Sequence, residues 1–432
     1  MSSDVVLYME LHHPLRLKLP AQLVPDGATI EDFRRCLFDE RIDRKPKASV
    51  SETNSFAQHS HQRFYAHLFK TFDDLLEKGC ELSIGVSGGF LRYISQLGSE
   101  PVREQPHFMP GWDEFIAQLQ LERMPWGFGG LMAHPQVEVI CLEPHSSLSF
   151  YLDIDMFMQQ TALFKRWWEE RLEKDLSAAA TTELCMNNEI YKSFANLHFN
   201  AVIMEGAEWA LQGREPSYLC KIDDHPLLCL RHRPFSILMM EILSDPLEEN
   251  IAQRIKAVAK KIKDAPGDVV LLGWDVNALR NYDNQSDVSR ISLVLSQLCE
   301  ELDSLDVTFS TVNEVATKFG DNARSLTLPA FTSTKIDGGI GYLLNSNTQQ
   351  WLFQLMHHAY NMAKLSKNEG LMDMALWLTQ IDNLKLAAAT SAGLKPEWYS
   401  PPHRAGYLSP DELLWELGRV YANFIKAARY YI

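Results

Sequence analysis

The chain has little of what would mark a membrane, metal or nucleic-acid protein. No apolar run approaches the roughly 20 residues of a membrane-spanning helix, so no membrane association is expected. The seven cysteines, at positions 36, 80, 141, 185, 220, 229 and 299, contain no Cys-x-x-Cys pair and no metal-finger spacing. Their odd number and scatter point to reduced thiols in a cytoplasmic protein. No signal peptide is visible ahead of the first strand-like segment. Basic charge is short, with 41 Lys and Arg against 56 Asp and Glu and a formal net charge of −15. Nucleic acid is therefore a poor partner, because no surplus of cations is present to neutralise phosphates; a neutral substrate such as a sugar suits an acidic surface. The pair Gly88-Gly89 lies in neither a GK[ST] nor a GxGxxG pattern, which argues against a nucleotide loop. No two histidines are spaced His-x-x-x-His, which disfavours a metal-dependent deacetylase on a related barrel. No metal and no cofactor is expected.

What is present is a core-forming chain whose pattern changes near residue 315. Its 432 residues, 46% of them hydrophobic, suffice for a large core. Strand-like runs over 5–11, 81–87, 136–142, 200–204, 225–230, 268–272 and 307–311 alternate with amphipathic stretches over 61–77, 112–121, 155–176, 189–197, 251–262 and 293–302. Residues 26–60 read as polar and irregular. Beyond residue 341 no strand-like run occurs, and 349–365, 371–388 and 410–430 read as helices. The last opens on Ser409-Pro410-Asp411-Glu412, a cap, a first-turn proline and a capping-box glutamate. Alternation followed by helices alone predicts a parallel α/β barrel over 1–315 and a helical domain over 316–432.

Ionisable residues follow the strands: His12 and His13 after the first, Glu143 and His145 after the third, Glu205 after 200–204, and Asp275, with the aromatic Trp274, after 268–272. In barrels of this kind catalytic side chains stand at the C-terminal ends of the strands. The stretch Thr181-Thr182-Glu183-Leu184-Cys185-Met186-Asn187-Asn188 puts one more carboxylate between a short strand and a helix. On local sequence alone Glu183 also reads as an acid at a helix start, where the dipole favours it.

In this order the strand ends resemble those of glycoside hydrolase family 57, the α-amylase-like group with a (β/α)7 barrel. Its first motif, His-Gln-Pro-Tyr-Arg-Leu, is met by His12-His13-Pro14-Leu15-Arg16-Leu17, and a strand ending in Ser-Gly-x-Phe-Leu by Ser87-Gly88-Gly89-Phe90-Leu91. Glu143-Pro144-His145-Ser146-Ser147-Leu148 approaches Glu-Pro-x-x-His-Ser-Leu with altered spacing, and Met204-Glu205-Gly206-Ala207 matches Thr-Glu-Gly-Ala. Thr182-Glu183-Leu184, with Asn188 downstream, matches the motif of the family's nucleophile, and Gln380-Ile381-Asp382-Asn383 echoes a later Thr-Ser-Asp-His. The family's acid/base aspartate, in Asp-x-Glu-x-Phe-Gly, aligns with Gly273, and the glutamate after it with Asp275.

The resemblance implies a distorted parallel (β/α)7 barrel with a C-terminal helical bundle, acting on α-glucan or an oligosaccharide by a retaining mechanism. Such a reaction needs two carboxyl groups about 5–5.5 Å apart. Glu183 takes the part of the nucleophile and Asp275 that of the acid/base, with His12, His13, His145, Glu205, Trp274 and Asp382 binding substrate. Because Gly273 carries no carboxyl, the alternative is a family member that binds glucan or a protein partner without catalysis. Oligomeric state and linkage are left open.

Overall fold

Seven parallel strands pair in sequence order and close on one another. A computed structural model describes residues 3–38, 52–98, 111–224, 226–245, 250–276, 287–328, 332–333, 341–391 and 409–432. The strands are β1 (Asp4–Leu11), β2 (Leu82–Val86), β3 (Val137–Ile140), β4 (Ala178–Ala179), β5 (Ala201–Glu205), β6 (Leu227–Arg231) and β7 (Val269–Asp275). Hydrogen-bonded neighbours run β3-β2-β1-β7-β6-β5-β4, and each of these pairings is parallel. The ring closes just past β3: Cys141 N–H donates to Ala178 O and Ala180 N–H to Cys141 O, both at 2.9 Å. The result is the parallel barrel that the alternation predicts, in the distorted seven-stranded form that the resemblance implies.

Alternation along each strand sorts the side chains. Val6 and Tyr8 on β1, Ile140 and Leu142 at β3, Ile203 on β5, Cys229 on β6 and Leu271 on β7 fill the interior. Val5, Leu7, Met9 and Leu11 face the surrounding helices. Tyr8 is large for so narrow a barrel and fits because two inward positions lack a side chain. A β-carbon on Gly85 would lie 2.8 Å from the Tyr8 hydroxyl, and one on Gly273 would lie 3.2 Å from Tyr8 Cδ1. Helix Val312–Phe319, opened by the Thr311 and Glu314 capping box, sends Val312, Val315 and Ala316 into the same interior core.

Three readings of the sequence change. The run 307–311 is not a strand; Phe309 makes a single bridge to Val5, since β1 is already paired with β2 and β7 along the rest of its length. Residues 26–60 are less irregular than their polarity suggests: a capping box at Thr29 starts helix Ile30–Leu37, and helix Glu52–Glu77 begins earlier than expected. The helical run over 371–388 is two helices, Glu369–Leu378 and Ile381–Ser391. No glycine or proline marks the break. Its cause is tertiary: Leu148 N–H donates to Thr379 O at 2.9 Å, Ile381 N–H donates to Ser146 O at 3.1 Å, and the Gln380 amide brackets Leu15 N–H and Leu15 O at 2.8 and 3.1 Å. These bonds fasten the C-terminal helices across the loops that leave β1 and β3, over the C-terminal mouth of the barrel. Helix Pro410–Ala428 carries the expected Ser409 and Glu412 capping box. None of the seven cysteines is joined in a disulfide, and among the described residues no helix is long and apolar enough to cross a membrane.

Candidate active site

β1 delivers the first group. Tyr8, Glu10 and His12 share the inward parity, so the strand that lines the core with Val6 also carries a carboxyl and an imidazole to the mouth. His12 Nε2 lies 2.8 Å from Asp382 Oδ2, and Nδ1 lies 3.0 Å from Ser87 Oγ and 3.2 Å from Ser146 Oγ. Burial works against the imidazolium, but Asp382, with Asp275 and Glu10, holds its pKa up at about 9. At neutral pH both ring nitrogens therefore donate, one to the Asp382 carboxylate and one to the two hydroxyls.

Asp382 stands in the first turn of helix Ile381–Ser391. Burial would raise its pKa, yet His12 and Lys385 hold it well below the usual carboxylate range. Lys385, one turn on, lies 3.8 Å from Asp382 Oδ1 and forms an ion pair with Glu183 Oε1. Against desolvation, Glu183 and Asp382 raise the Lys385 pKa, so it stays charged. An alternating relay, His12 to Asp382 to Lys385 to Glu183, thus crosses the mouth from β1 to the turn after β4.

Glu183 does not serve a helix start. Helix Asn188–Asn196 is capped by Asn187, whose Oδ1 accepts from Ile190 N–H at 2.8 Å, and its first-turn acid is Glu189. Glu183 lies instead in the short turn Thr182–Leu184 with φ 57°, and Leu184 follows at φ 50°. Two consecutive non-glycine residues in the left-handed region are costly and need surrounding support. Thr181, whose hydroxyl donates to Cys185 O, and the Met186–Thr332 bridge supply it. The turn aims a largely buried carboxylate at Lys385.

β7 brings Asp275 beside Glu10, the two being partners in the β1–β7 register. Glu10 is 6% exposed, and its Oε2 accepts from the Tyr8 hydroxyl at 3.4 Å. Burial first, then the charges of Asp275 and Glu183, raise its pKa to about 8 against the opposing pull of His12 and Lys385. Glu10 is therefore a protonated acid at neutral pH.

Four residues expected to bind substrate are held by contacts within the protein. Trp274 alternates with Gly273 and Asp275 and so points outward; it is buried under helix Arg233–Ser244, its Nε1–H donating to Ser236 O at 2.9 Å. Glu205 is fully buried, and both its oxygens accept from Arg231 Nη1 at 2.9–3.0 Å; its pKa is raised because burial outweighs Arg231 and Arg233. His145 is enclosed by Trp112 and Trp377 and is 2.9 Å from Glu143 Oε1. His13 stacks on Tyr93 at 4.1 Å, and burial, with Arg16, depresses its pKa. Gly273 has no spare room: Arg231 Nε–H donates to its carbonyl at 2.6 Å, and a β-carbon there would meet Tyr8 and Arg231 at 3.2 and 3.3 Å.

Sequence reasoning did not single out Glu10 or Lys385. A signal existed for each: Glu10 is the one acid in the apolar run 5–11 and has the parity of His12, and Lys385 is one helical turn from Asp382. Among the described residues no group of three or more His, Cys, Asp and Glu is arranged as a metal site. Chemically, the mouth offers a carboxylate fixed by an ammonium, a protonated carboxyl, a second carboxyl beside it and a charged imidazole.

The family model described as Glycosyl hydrolase family 57 matches residues 6–329. A Methanocaldococcus jannaschii protein that carries the provisional name alpha-amylase is 31% identical over 106 residues, 24% of this chain and 23% of its own; the aligned stretch is less than a quarter of that relative. Among solved structures, a GH57-type branching enzyme of Pyrococcus horikoshii superposes with TM-score 0.59 at 12% identity, covering 100% of this chain and 97% of that one. A GH57 branching enzyme of Thermococcus kodakaraensis superposes with TM-score 0.61 at 11% identity, over 92% of this chain and 88% of that one.

Proposed function

The chain belongs to glycosyl hydrolase family 57, and from that premise we propose that it cleaves or transfers α-glucosidic bonds with retention of configuration. Glu183 attacks the anomeric carbon, and Asp275 protonates the leaving oxygen and then deprotonates the incoming water or acceptor hydroxyl. Its substrate is an α-glucan or an oligosaccharide, in keeping with a site built of carboxyls, an imidazole and hydroxyls. The observation that supports this reading most is the left-handed turn at Glu183, which spends backbone strain to aim a carboxylate at Lys385 in the barrel mouth, where the helix beyond has no use for it. Lys385 sets a positive charge beside that carboxylate through their ion pair.

A second reading, glucan binding without turnover, draws on Gly273, whose space Tyr8 and Arg231 occupy. The two are separated by assaying an aryl α-glucoside and a soluble α-glucan with wild type, Glu183→Gln and Asp275→Asn. Glu183→Gln is expected to abolish cleavage of both. Asp275→Asn is expected to lower glucan cleavage by roughly 100- to 10,000-fold and aryl-glucoside cleavage less, since an activated leaving group needs little protonation. Glucan binding with no turnover by any form speaks for the second reading.

A further inference from the structure

Glu10 has no part in the reaction as drawn above, yet it stands opposite Asp275. The β1–β7 register pairs the two residues, on strands about 4.8 Å apart, and both share the inward parity. Glu10 is the deeper member, 6% exposed and roofed by the Tyr8 hydroxyl at 3.4 Å; Asp275 is half-buried toward the mouth. Two carboxyls side by side in a site shielded from water do not both ionise cheaply, and one keeps a proton. We propose that Glu10 and Asp275 form a proton-sharing dyad, in which Glu10 stores the proton that Asp275 delivers to the glycosidic oxygen and later recovers from water. The inference rests on the glycosidase reading and makes Glu10 a positioning residue that works through Asp275.

The groups facing Glu10 are Tyr8 and His12 on its own strand, Asp275 on β7, Glu183 in the turn after β4 and Lys385 on helix Ile381–Ser391. Burial and the two anions outweigh the two cations and hold its proton to about pH 8. The step balances. As a Glu183 oxygen bonds to the anomeric carbon, the bond to the leaving oxygen breaks and that oxygen takes the proton of Asp275. That proton is the one Glu10 had stored, passed to Asp275 as the bond breaks, so the dyad goes from one proton to none. In the second half, water or an acceptor hydroxyl adds to the anomeric carbon, Glu183 leaves, and the dyad regains a proton.

The test is an infrared titration of the full chain beside the pH profile of kcat/KM, with wild type, Glu10→Gln and Asp275→Asn. The wild type should show a protonated-carboxyl band that disappears as pH rises through about 8 and that is missing from Glu10→Gln. In Asp275→Asn the neighbouring charge is gone, so the midpoint should fall by about one pH unit or more. The alkaline limb of glucan cleavage should move to lower pH in Glu10→Gln, with the glucan rate down roughly 100-fold or more and aryl-glucoside cleavage less affected. A band whose midpoint ignores Asp275→Asn, or a Glu10→Gln profile that overlays the wild type, overturns the dyad. Wild type without Glu183-dependent turnover overturns the glycosidase reading instead, and the infrared midpoints then still decide whether the two carboxyls share a proton. If Glu10→Gln does not fold, the Asp275→Asn titration carries the decision.

Discussion

At the scale of single residues, Gly273 explains more than any carboxylate. It stands where the resemblance leads one to expect an acid/base aspartate, and the surrounding groups have taken over its volume and its carbonyl. Restoring the acid is therefore not a repair. Gly273→Asp places a β-carbon 3.2–3.3 Å from Tyr8 Cδ1, Arg231 Cδ and Leu271 Cδ2, and its carboxylate would compete with Glu205 for Arg231. Overpacking of this kind costs about 1–3 kcal/mol. Urea denaturation should show a loss of that size, and glucan cleavage should not rise. A stable Gly273→Asp variant with more than roughly tenfold higher activity contradicts the view that the proton-handling role has moved to β1 and the rim of β7. Residue roles were only partly legible in the sequence. Parity along β7 held the sign that Trp274 turns outward once Asp275 is placed inward, and the acid within the apolar run 5–11 held that of Glu10, but neither was used. The capture of Glu205 by Arg231 could not be read, because it depends on β5 and β6 being neighbours.

At the scale of elements, the turn Thr182–Leu184 and helix Ile381–Ser391 act as a pair. Neither element is stable in its observed form alone: the turn holds two left-handed residues, and the helix starts at a break with no glycine or proline. Lys385 joins them, its side chain 14% exposed against 11% for Glu183. Removing one partner of a buried pair leaves a charge uncompensated and costs about 3–5 kcal/mol. Lys385→Met should lose stability on that scale in denaturant titration, and Glu183→Gln combined with Lys385→Met should recover a good part of it. Equal losses in the single and double variants would mean that Lys385 matters for packing alone. Capping was the element-level feature most open to sequence reading, as Ser409 with Glu412 shows. The break at Thr379 and Gln380 was hidden because hydrogen bonds from Leu15 and the Ser146–Leu148 segment make it, and those partners lie more than 200 residues away in the chain.

At the scale of the whole molecule, period-two strands alternating with amphipathic helices were sufficient to predict a parallel barrel, because a parallel sheet with helical crossovers has few other ways to bury both faces. The covering role of the C-terminal helices follows from the same arithmetic: the described residues from 341 onward form helices with apolar faces and no strand, and the mouth of the barrel is the surface left to pack on. What the pattern could not convey was how tightly that cover holds the polar groups beneath it. The central claim is that the covered mouth keeps a working nucleophile at Glu183. It is tested most directly by incubating the protein with a fluorinated α-glucosyl fluoride, whose glycosyl-enzyme turns over slowly, and locating any covalent adduct by peptide mass spectrometry. One sugar per chain on the peptide containing Glu183, absent from Glu183→Gln, is the predicted result; an unlabelled wild type, or a label on any other carboxylate, contradicts it.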